Sequence, residues 1–573
     1  MGLTRRSFVR TSSGALVALS LPGCRGSEDA TSDTVVFHNG VVLPVDPSFS
    51  QHSALAVRAN RIIAVGDAGA VRAAAGRGAR EVDLDGRTVL PGFIEPHMHF
   101  ALLAGLGHLP DIGPFQSPTF DDALAAISEI RDMAIRVGPD EWVMGRQFDP
   151  ILLEPPRDLT TRDLDPIVPD RPAFFLNASG HIAYVNSRTL QAAGLDASSA
   201  DPPGGEYGRY PSGELNGVLY GQSAWLPILL SNGGIVDRMS GGFAEAGIQV
   251  GEQAAALGIT TLCDMATGGL AGAAELELYR QMYDEGRMKA RIRPYLYHPA
   301  SDSFDEAGVR PFDGDAFVRV AGFKVVSDGS NQGFTGRQRE PYVGSESVGL
   351  FYVEPEDLRA VVLERTRSGW PMAIHANGDA AIDSVLDSMD AAVSAGIDVR
   401  PLRIRIEHCS ILHDEQIARM REHGLVPSFL INHVHYWGHV MRDEVFGPEK
   451  VQLLDRCASV QEAGLNWVMH SDAPVSPLGP LHMIRVAAVR DLWKEPDTIL
   501  APGERVSVEE AIRAQTINAA WAQHEEDELG SLEPGKLADF VILEDDPRAV
   551  EPTRIGDISV SETWMDGKLV VKG

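Results

Sequence analysis

The segment 91–99, PGFIEPHMH, places two histidines at the end of a short apolar run, and no other feature constrains the chain as much. The run before them is typical of a buried strand, and side chains two residues apart on a strand point to the same face. His97 and His99 can therefore direct both imidazoles at one bound divalent ion. Such pairs also arise by chance in a chain with 17 histidines, and His433 and His435 form a second one.

Four further apolar runs carry a residue that can bind a metal at or near the end of a predicted strand. These residues are Lys324, His375, His408 and Asp472. Helical patterns separate the runs, at 355–368, 379–394, 414–423 and 480–489. Alternating strands and helices predict a parallel sheet covered by helices. In an eight-stranded barrel, functional residues lie at the C-terminal ends of the strands, which is where all these candidates occur. The predicted fold class is therefore α/β, a TIM-like (β/α)8 barrel.

Motifs along most of the chain carry a resemblance to one family. They are LPGFIEPHMH at 90–99, SGHIAYVNS at 179–187, GFK at 322–324 with SDGS at 327–330, HANGD at 375–379, IEH at 406–408, SDAP at 471–474, and GSL at 530–532 with GKLAD at 535–539. From about residue 34 to the C-terminus, the chain resembles the amidohydrolase superfamily. Within it, the chain is similar to the amidohydrolase family 3 branch, which includes N-substituted formamide deformylases. The sequence departs from the usual family pattern at Glu95, where aspartate is typical, and at His470, where glycine is more common.

The resemblance implies a centre of two divalent metal ions in which a lysine is carboxylated by carbon dioxide. The implied ligands are His97, His99, Lys324, His375, His408 and Asp472. The residue types support this chemistry, because a lysine buried in an apolar strand tends toward the neutral amine, which can add carbon dioxide. The resulting carbamate can bridge two ions about 3.5–4 Å apart.

The expected reaction is hydrolysis of a non-peptide carbon–nitrogen bond in a small-molecule substrate. One ion would be bound by His97 and His99, and the other by the histidines at 375 and 408. A hydroxide that bridges the ions would be the nucleophile, with Asp472 as general base and acid. Zinc is the metal we expect, although manganese, iron and cobalt fit the same ligands.

Other interpretations stay open at this stage. Lys324 could be an ion-paired lysine, which would leave a one-metal site suited to deamination of a cyclic amidine or nucleobase-like ring. His181 would either hydrogen-bond a substrate carbonyl as a second catalytic residue or cap a turn. A third function is a surface lipoprotein that binds a solute, although binding alone needs no water-activating aspartate. The segment after the strand 426–431 would form either a pocket wall or a solvated loop. Its candidate wall residues are His433, His435, Tyr436, Trp437 and His439.

Residues 1–23 resemble a twin-arginine export signal, with TRRSFVR at 4–10 and a short apolar region at 14–21. The tetrapeptide LPGC at 21–24 resembles a lipoprotein cleavage site, which would lipidate Cys24 and attach the protein to a membrane. We therefore expect export by the twin-arginine machinery to the periplasm or cell envelope, with residues 24–33 as a linker.

Composition limits the partners, and the motif positions suggest the domains. A formal net charge of −30 argues against nucleic acid, because phosphate binding needs a basic surface. We expect residues 34–90 and 529–573 to form one small β-sandwich, and residues 91–528 to form the barrel. An inserted segment around 139–221 would roof the pocket and influence substrate choice. The oligomeric state stays open, although a homodimer would be common.

Overall fold

The computed structural model describes residues 33–573, except for the side chains of residues 236–240. The predicted export signal and Cys24 lie outside the described residues. Within the described part of the chain, no helix combines the length and the apolarity needed to cross a bilayer.

Eight parallel strands form the barrel, and each one pairs with the next in chain order. In that order, the first to eighth barrel strands are Phe93–Met98, Ile259–Thr267, Arg291–Tyr297, Gly322–Val326, Met372–Ala376, Arg405–His408, Val426–Phe429 and Val468–Met469. Between the first and eighth strands, Asp472 N donates to His97 O at 3.1 Å and His99 N donates to Ala473 O at 2.8 Å. The predicted fold class is confirmed, and the two strand ends that bear candidate ligands are hydrogen-bonded to each other.

Helices pack around the barrel and follow the predicted alternation. They are Gly233–Ala256, Ala274–Asp284, Ser301–Glu306, Pro355–Arg367, Asp379–Ser394, Asp414–His423, Cys457–Glu462, Pro480–Val489, Val508–Ala514 and Ile517–Ala522. Helix Asp414–His423 illustrates why apolar spacing and end signals predict these helices. Its Ile417 and Met420 are buried three residues apart, and it ends at Gly424, whose φ of 67° is a left-handed conformation that glycine adopts at low cost.

Strands from both chain ends meet in one further sheet. Its strands are Thr34–Val42, His52–Arg58, Arg61–Gly66, Arg80–Asp83, Thr88–Pro91, Phe540–Leu543, Val560–Met565 and Lys568–Lys572. The chain ends therefore combine as predicted, and hydrogen bonding joins all eight strands into one continuous sheet. Phe37, Phe540 and Trp564 pack on it with ring centroids 5.1–5.5 Å apart. Phe540 pairs with Pro91, so this sheet is directly connected to the start of the barrel.

A third sheet lies between the first and second barrel strands in the chain. Its strands are Val143–Phe148, Ala173–Asn177, Ile182–Val185, Glu206–Arg209 and Leu215–Tyr220. The accompanying helices are Phe100–Leu106, Phe120–Val137, Thr161–Ile167, Ser187–Ala192 and Gln222–Leu230. Apolar clusters cover both faces of this sheet, since Phe175 and Tyr184 belong to one cluster and Phe174 and Val185 to the other. The predicted insert is thus a layer with its own core, and its turn at 178–181 carries His181.

Candidate metal centre

The six predicted ligands converge at the C-terminal mouth of the barrel, with Asp472 at their centre. Asp472 Oδ1 lies 3.1 Å from His97 Nε2 and 3.1 Å from His99 Nε2. Its Oδ2 lies 4.0 Å from His408 Nδ1. Burial opposes ionisation of this carboxyl, but His97, His99 and His408 more than offset it and hold the pKa of Asp472 well below its usual range. Asp472 is therefore a carboxylate, the form that binds a cation or accepts a proton.

The residues present fit a divalent ion. One ligand atom from each of His97, His408 and Asp472 lies within 4.8 Å of the others, and all three residues are buried. Asp472 Oδ1 and His408 Nδ1 also have no hydrogen-bond partner, although buried polar atoms in proteins almost always have one. Burial and the neighbouring His375 hold the pKa of His408 well below its usual range, so its imidazole is neutral and free to coordinate.

A buried carboxylate orients His97. His97 Nδ1 lies 2.6 Å from Glu407 Oε2. Glu407 also accepts hydrogen bonds from Arg405 Nη2 at 2.9 Å and from Ser428 Oγ at 2.7 Å. Burial raises the pKa of Glu407, but Arg405 and His97 outweigh that effect and keep it ionised. His97 therefore donates from Nδ1, which leaves the Nε2 lone pair directed at the site.

Lys324 projects from the fourth barrel strand into the same cluster. Its Nζ lies 3.3 Å from His97 Nε2, and the residue is 1% exposed. Burial lowers the pKa of Lys324 to about 8, although Glu407 and Asp472 act to raise it. The ammonium form is thus disfavoured relative to an exposed lysine, and the neutral amine is accessible near physiological pH.

His375 and His408 form the other side of the cluster, with ring centroids 4.4 Å apart. His375 Nε2 lies 3.0 Å from the carbonyl of Gly329, so it is the protonated nitrogen and Nδ1 remains for an ion. Asp328 stabilises this loop by accepting backbone N–H bonds from Asn377 at 3.0 Å and from Gly378 at 2.8 Å. Asp328 of the SDGS motif therefore holds the backbone that follows His375.

His181 reaches the site from the inserted sheet. Its ring centroid lies 4.9 Å from that of His375, and its Nδ1 is buried without a hydrogen-bond partner. Asn177 caps the turn instead, because its Oδ1 accepts from Ser179 N at 2.8 Å. Burial and the neighbouring His375 hold the pKa of His181 well below its usual range. A neutral ring that lines the cavity favours the substrate-contacting role over the capping role.

The two departures from the family pattern both touch His97. Glu95 accepts backbone N–H bonds from His97 at 3.2 Å and Ser471 at 3.3 Å, which ties the first barrel strand to the end of the eighth. Burial raises the pKa of Glu95 to about 8. His470 stacks on His97 with ring centroids 4.3 Å apart, and neither of its ring nitrogens has a hydrogen-bond partner. Glu95 and His470 therefore hold His97 in position from the side of the barrel interior.

The segment after the seventh barrel strand is mostly buried, and part of it lines the site. His433 lines a small cavity with His375, His408 and Asp472. The pocket-wall interpretation does not extend to two of its neighbours, which make structural contacts. His435 Nδ1 lies 2.9 Å from the carbonyl of Asp491, and Trp437 Nε1 donates to Asp149 at 2.8 Å.

Sequence analysis did not identify the remaining wall of the catalytic cavity. Besides the metal-site residues, this cavity of about 80 Å³ is bordered in part by apolar side chains of helices Phe100–Leu106 and Gln222–Leu230. They include Leu102, Leu106, Trp225, Leu226 and Leu229. The role of Glu407 was also missed, although a carboxylate in an otherwise apolar strand beside a histidine is a signal for it.

The barrel, the six candidate ligands and the Glu407 carboxylate that orients His97 are typical of a metal-dependent hydrolase. Comparisons with known proteins support this class. A model of the amidohydrolase family matches residues 80–571. Protein LONG AFTER FAR-RED 3 of Arabidopsis thaliana is 29% identical over 521 residues, covering 88% of this chain and 86% of that protein. N-substituted formamide deformylase of Arthrobacter pascens is 27% identical over 543 residues, covering 93% and 97%. In fold, the chain is similar to an uncharacterized metal-dependent hydrolase from Pyrococcus horikoshii, with a TM-score of 0.70 at 21% identity over 91% of this chain and 99% of that one.

The chain belongs to the amidohydrolase family. It is a hydrolase that acts on carbon–nitrogen bonds, and the family resemblance inferred from the motifs is confirmed.

Proposed function

We propose that this protein hydrolyses the carbon–nitrogen bond of a small N-formyl or N-acyl amine at a centre of two divalent ions. The convergence of four histidines and Asp472 around the buried Lys324 carries the proposal. The similarity to a protein named N-substituted formamide deformylase supports the choice of substrate class. Zinc is the metal that we propose, because imidazole and carboxylate ligands in this number suit it.

The ions would supply Lewis acidity, which lowers the pKa of a water molecule toward about 7 and polarises the substrate carbonyl. The chain supplies the rest. Asp472 takes the proton from the attacking water and delivers it to the departing nitrogen, since its carboxylate lies centrally in the cluster. His181, neutral and without a partner at Nδ1, hydrogen-bonds the carbonyl oxygen as negative charge develops there.

Lys324 would act as a ligand only after carboxylation, which we also propose. The neutral amine attacks carbon dioxide, so a nitrogen–carbon bond forms while one carbon–oxygen π bond opens and its electron pair moves to oxygen. The nitrogen then loses a proton to solvent, which gives an anionic carbamate. The lowered pKa of the Lys324 amine and its position 3.3 Å from His97 Nε2 support this step. The carbamate would present two oxygens to the cluster, where the unmodified amine presents one nitrogen.

A substrate screen tests the function. With zinc- or manganese-loaded protein, we expect release of free amine and formate or another carboxylate from N-formyl or N-acyl amines, measured by amine derivatisation and mass spectrometry. A matched panel of cyclic amidines and nucleobases should give no ammonia. Turnover of the second panel alone would reject the proposal in favour of a deaminase.

We further propose that the protein is exported by the twin-arginine route. Replacing both Arg5 and Arg6 by lysine should retain the full chain in the cytoplasm, because the paired arginines are the recognition feature. The measurement is immunoblotting of cell fractions, with Arg10→Lys as the matched control. Equal export of the double variant and the native chain would contradict the assignment.

A further inference from the structure

The catalytic cavity is too small to enclose more than a short substrate. Its volume is about 80 Å³, whereas cavities that hold drug-sized ligands span about 300–1,000 Å³. A second cavity of about 500 Å³ adjoins it, which we call the apolar cavity. Four residues line both spaces: Gln222, Leu226, Tyr297 and Val326. The two cavities are therefore neighbours across a thin wall.

Helix Gln222–Leu230 forms one part of that wall and contributes Gln222 and Leu226 to it. Trp225 and Leu229 face the catalytic cavity, whereas Pro227 and Leu230 face the apolar cavity. Leu226 borders both. Leu230 is 40% exposed, so the apolar cavity opens to solvent on this side. A substituent that extends from the metal centre through this wall must pass the four residues that border both cavities, Leu226 among them. Two of the others are joined to each other, because the Tyr297 hydroxyl donates a hydrogen bond to Gln222.

The lining of the apolar cavity selects against charge. Among the described residues that border it, there is no Asp, Glu, Lys or Arg. Its lining includes the aliphatic side chains of Leu226, Leu230, Val325 and Val353. Transfer of a charged group into such a space would be costly, whereas each methylene buried there is favourable.

A third cavity, of about 440 Å³, has the opposite character. Four carboxylates border it, from Asp149, Asp158, Glu206 and Glu444, with Arg157 as the charged group of opposite sign. It shares one lining residue with the catalytic cavity, Asn177, compared with the four that the apolar cavity shares. We call it the acidic cavity. It would suit a cationic substituent, so the two cavities predict opposite substrate preferences.

We propose that the apolar cavity binds an uncharged hydrocarbon substituent of the substrate, and that Leu226 determines which substituents reach it. The proposal rests on the proposed function and deepens it, because it assigns the substrate class as N-acyl amines with an extended alkyl or aryl group. The reacting amide lies at the metal centre, and the substituent passes Leu226 into the apolar cavity.

The first experiment compares kcat/KM for N-methyl-, N-butyl- and N-octylformamide. We expect a rise of about threefold to fourfold per added methylene until the cavity is filled, which is the gain that burial of one methylene supplies. N-heptylformamide is then compared with mono-N-formyl-1,6-diaminohexane, whose chain has the same number of heavy atoms but ends in an ammonium. The neutral compound should be preferred by at least about tenfold. Preference for the cationic compound would overturn the proposal and assign the substituent to the acidic cavity.

Variants at Leu226 test the passage itself. Leu226→Trp should lower the ratio of kcat/KM for N-octylformamide to that for N-methylformamide by at least about tenfold, because the larger ring fills the opening. Leu226→Ala, which removes bulk and tests the site if the tryptophan variant does not fold, should raise the ratio for N-cyclohexylformamide over N-methylformamide by about threefold or more. Leu124→Trp is the matched control, since Leu124 is half-buried and lies on helix Phe120–Val137, outside both cavities.

Binding separates this proposal from the proposed function. Calorimetry measures Kd for the same formamides with the native protein and with Leu226→Trp. If no formamide is hydrolysed but Kd falls with chain length only in the native protein, the deformylase function is rejected. The apolar cavity is then still supported as the binding site of the hydrocarbon substituent. If formamides are hydrolysed without dependence on chain length, the assignment of the apolar cavity is overturned.

Discussion

Replacing Asp472 by asparagine should reduce kcat by about 10²–10⁴-fold while the metal content stays close to that of the native protein. The amide keeps an oxygen that can face an ion, and the surrounding histidines are unchanged. It cannot accept a proton from water or return it to the leaving nitrogen. Steady-state kinetics on a substrate found in the screen, together with elemental analysis, measures both effects.

Asp491→Asn is the matched control for this substitution. Asp491 is also buried, but it pairs with Arg485 at 2.5 Å, and that pair lies outside the catalytic cavity. Its variant should keep most of the native kcat. An unchanged kcat in Asp472→Asn would reject the proton-transfer role. Loss of metal together with activity would show that Asp472 acts mainly as a ligand.

Replacing Lys324 by alanine should remove at least one ion per chain and reduce kcat by more than about 10²-fold. The physical reason is the loss of the only side chain proposed to supply ligand oxygens to both ions. Elemental analysis of protein prepared with bicarbonate and metal gives the stoichiometry. Lys494→Ala, which removes an exposed lysine paired with Glu154, controls for loss of a lysine in general.

The same measurement separates the two catalytic alternatives. Two ions per chain in the native protein and one or none in Lys324→Ala support the bridging carbamate. Two ions in both proteins would refute it. One ion in the native protein, even with bicarbonate present, would favour the one-metal deaminase chemistry.

Local pattern was sufficient to predict much of the fold. Helices Asp379–Ser394 and Asp414–His423 begin and end at the predicted residues, because apolar spacing, acidic first turns and end signals are short-range features. That the side chains of His97 and His99 point the same way was equally predictable, because side chains two residues apart in an extended segment share a face. Their Nε2 atoms are both 3.1 Å from the same carboxylate oxygen.

The orientation of His408 shows where local pattern fails. Arg405 and Glu407 are two residues apart and both point into the barrel, so strict alternation would direct His408 outward. The backbone at His408 is instead left-handed, with φ of 71°, and turns the ring toward Asp472. Non-glycine residues pay for that conformation, and it persists where surrounding contacts maintain it. No sequence signal marks it.

The sequence by itself determined the alternation of strands and helices and the apolar runs that carry the six candidate ligands, because strand alternation and helix periodicity are properties of neighbouring residues. Tertiary structure alone decided that Glu407 orients His97, that His408 turns inward and that helix Gln222–Leu230 separates a small catalytic cavity from a larger apolar one. Those features depend on contacts between segments that are distant along the chain. Their geometry is set by packing, which no local pattern records.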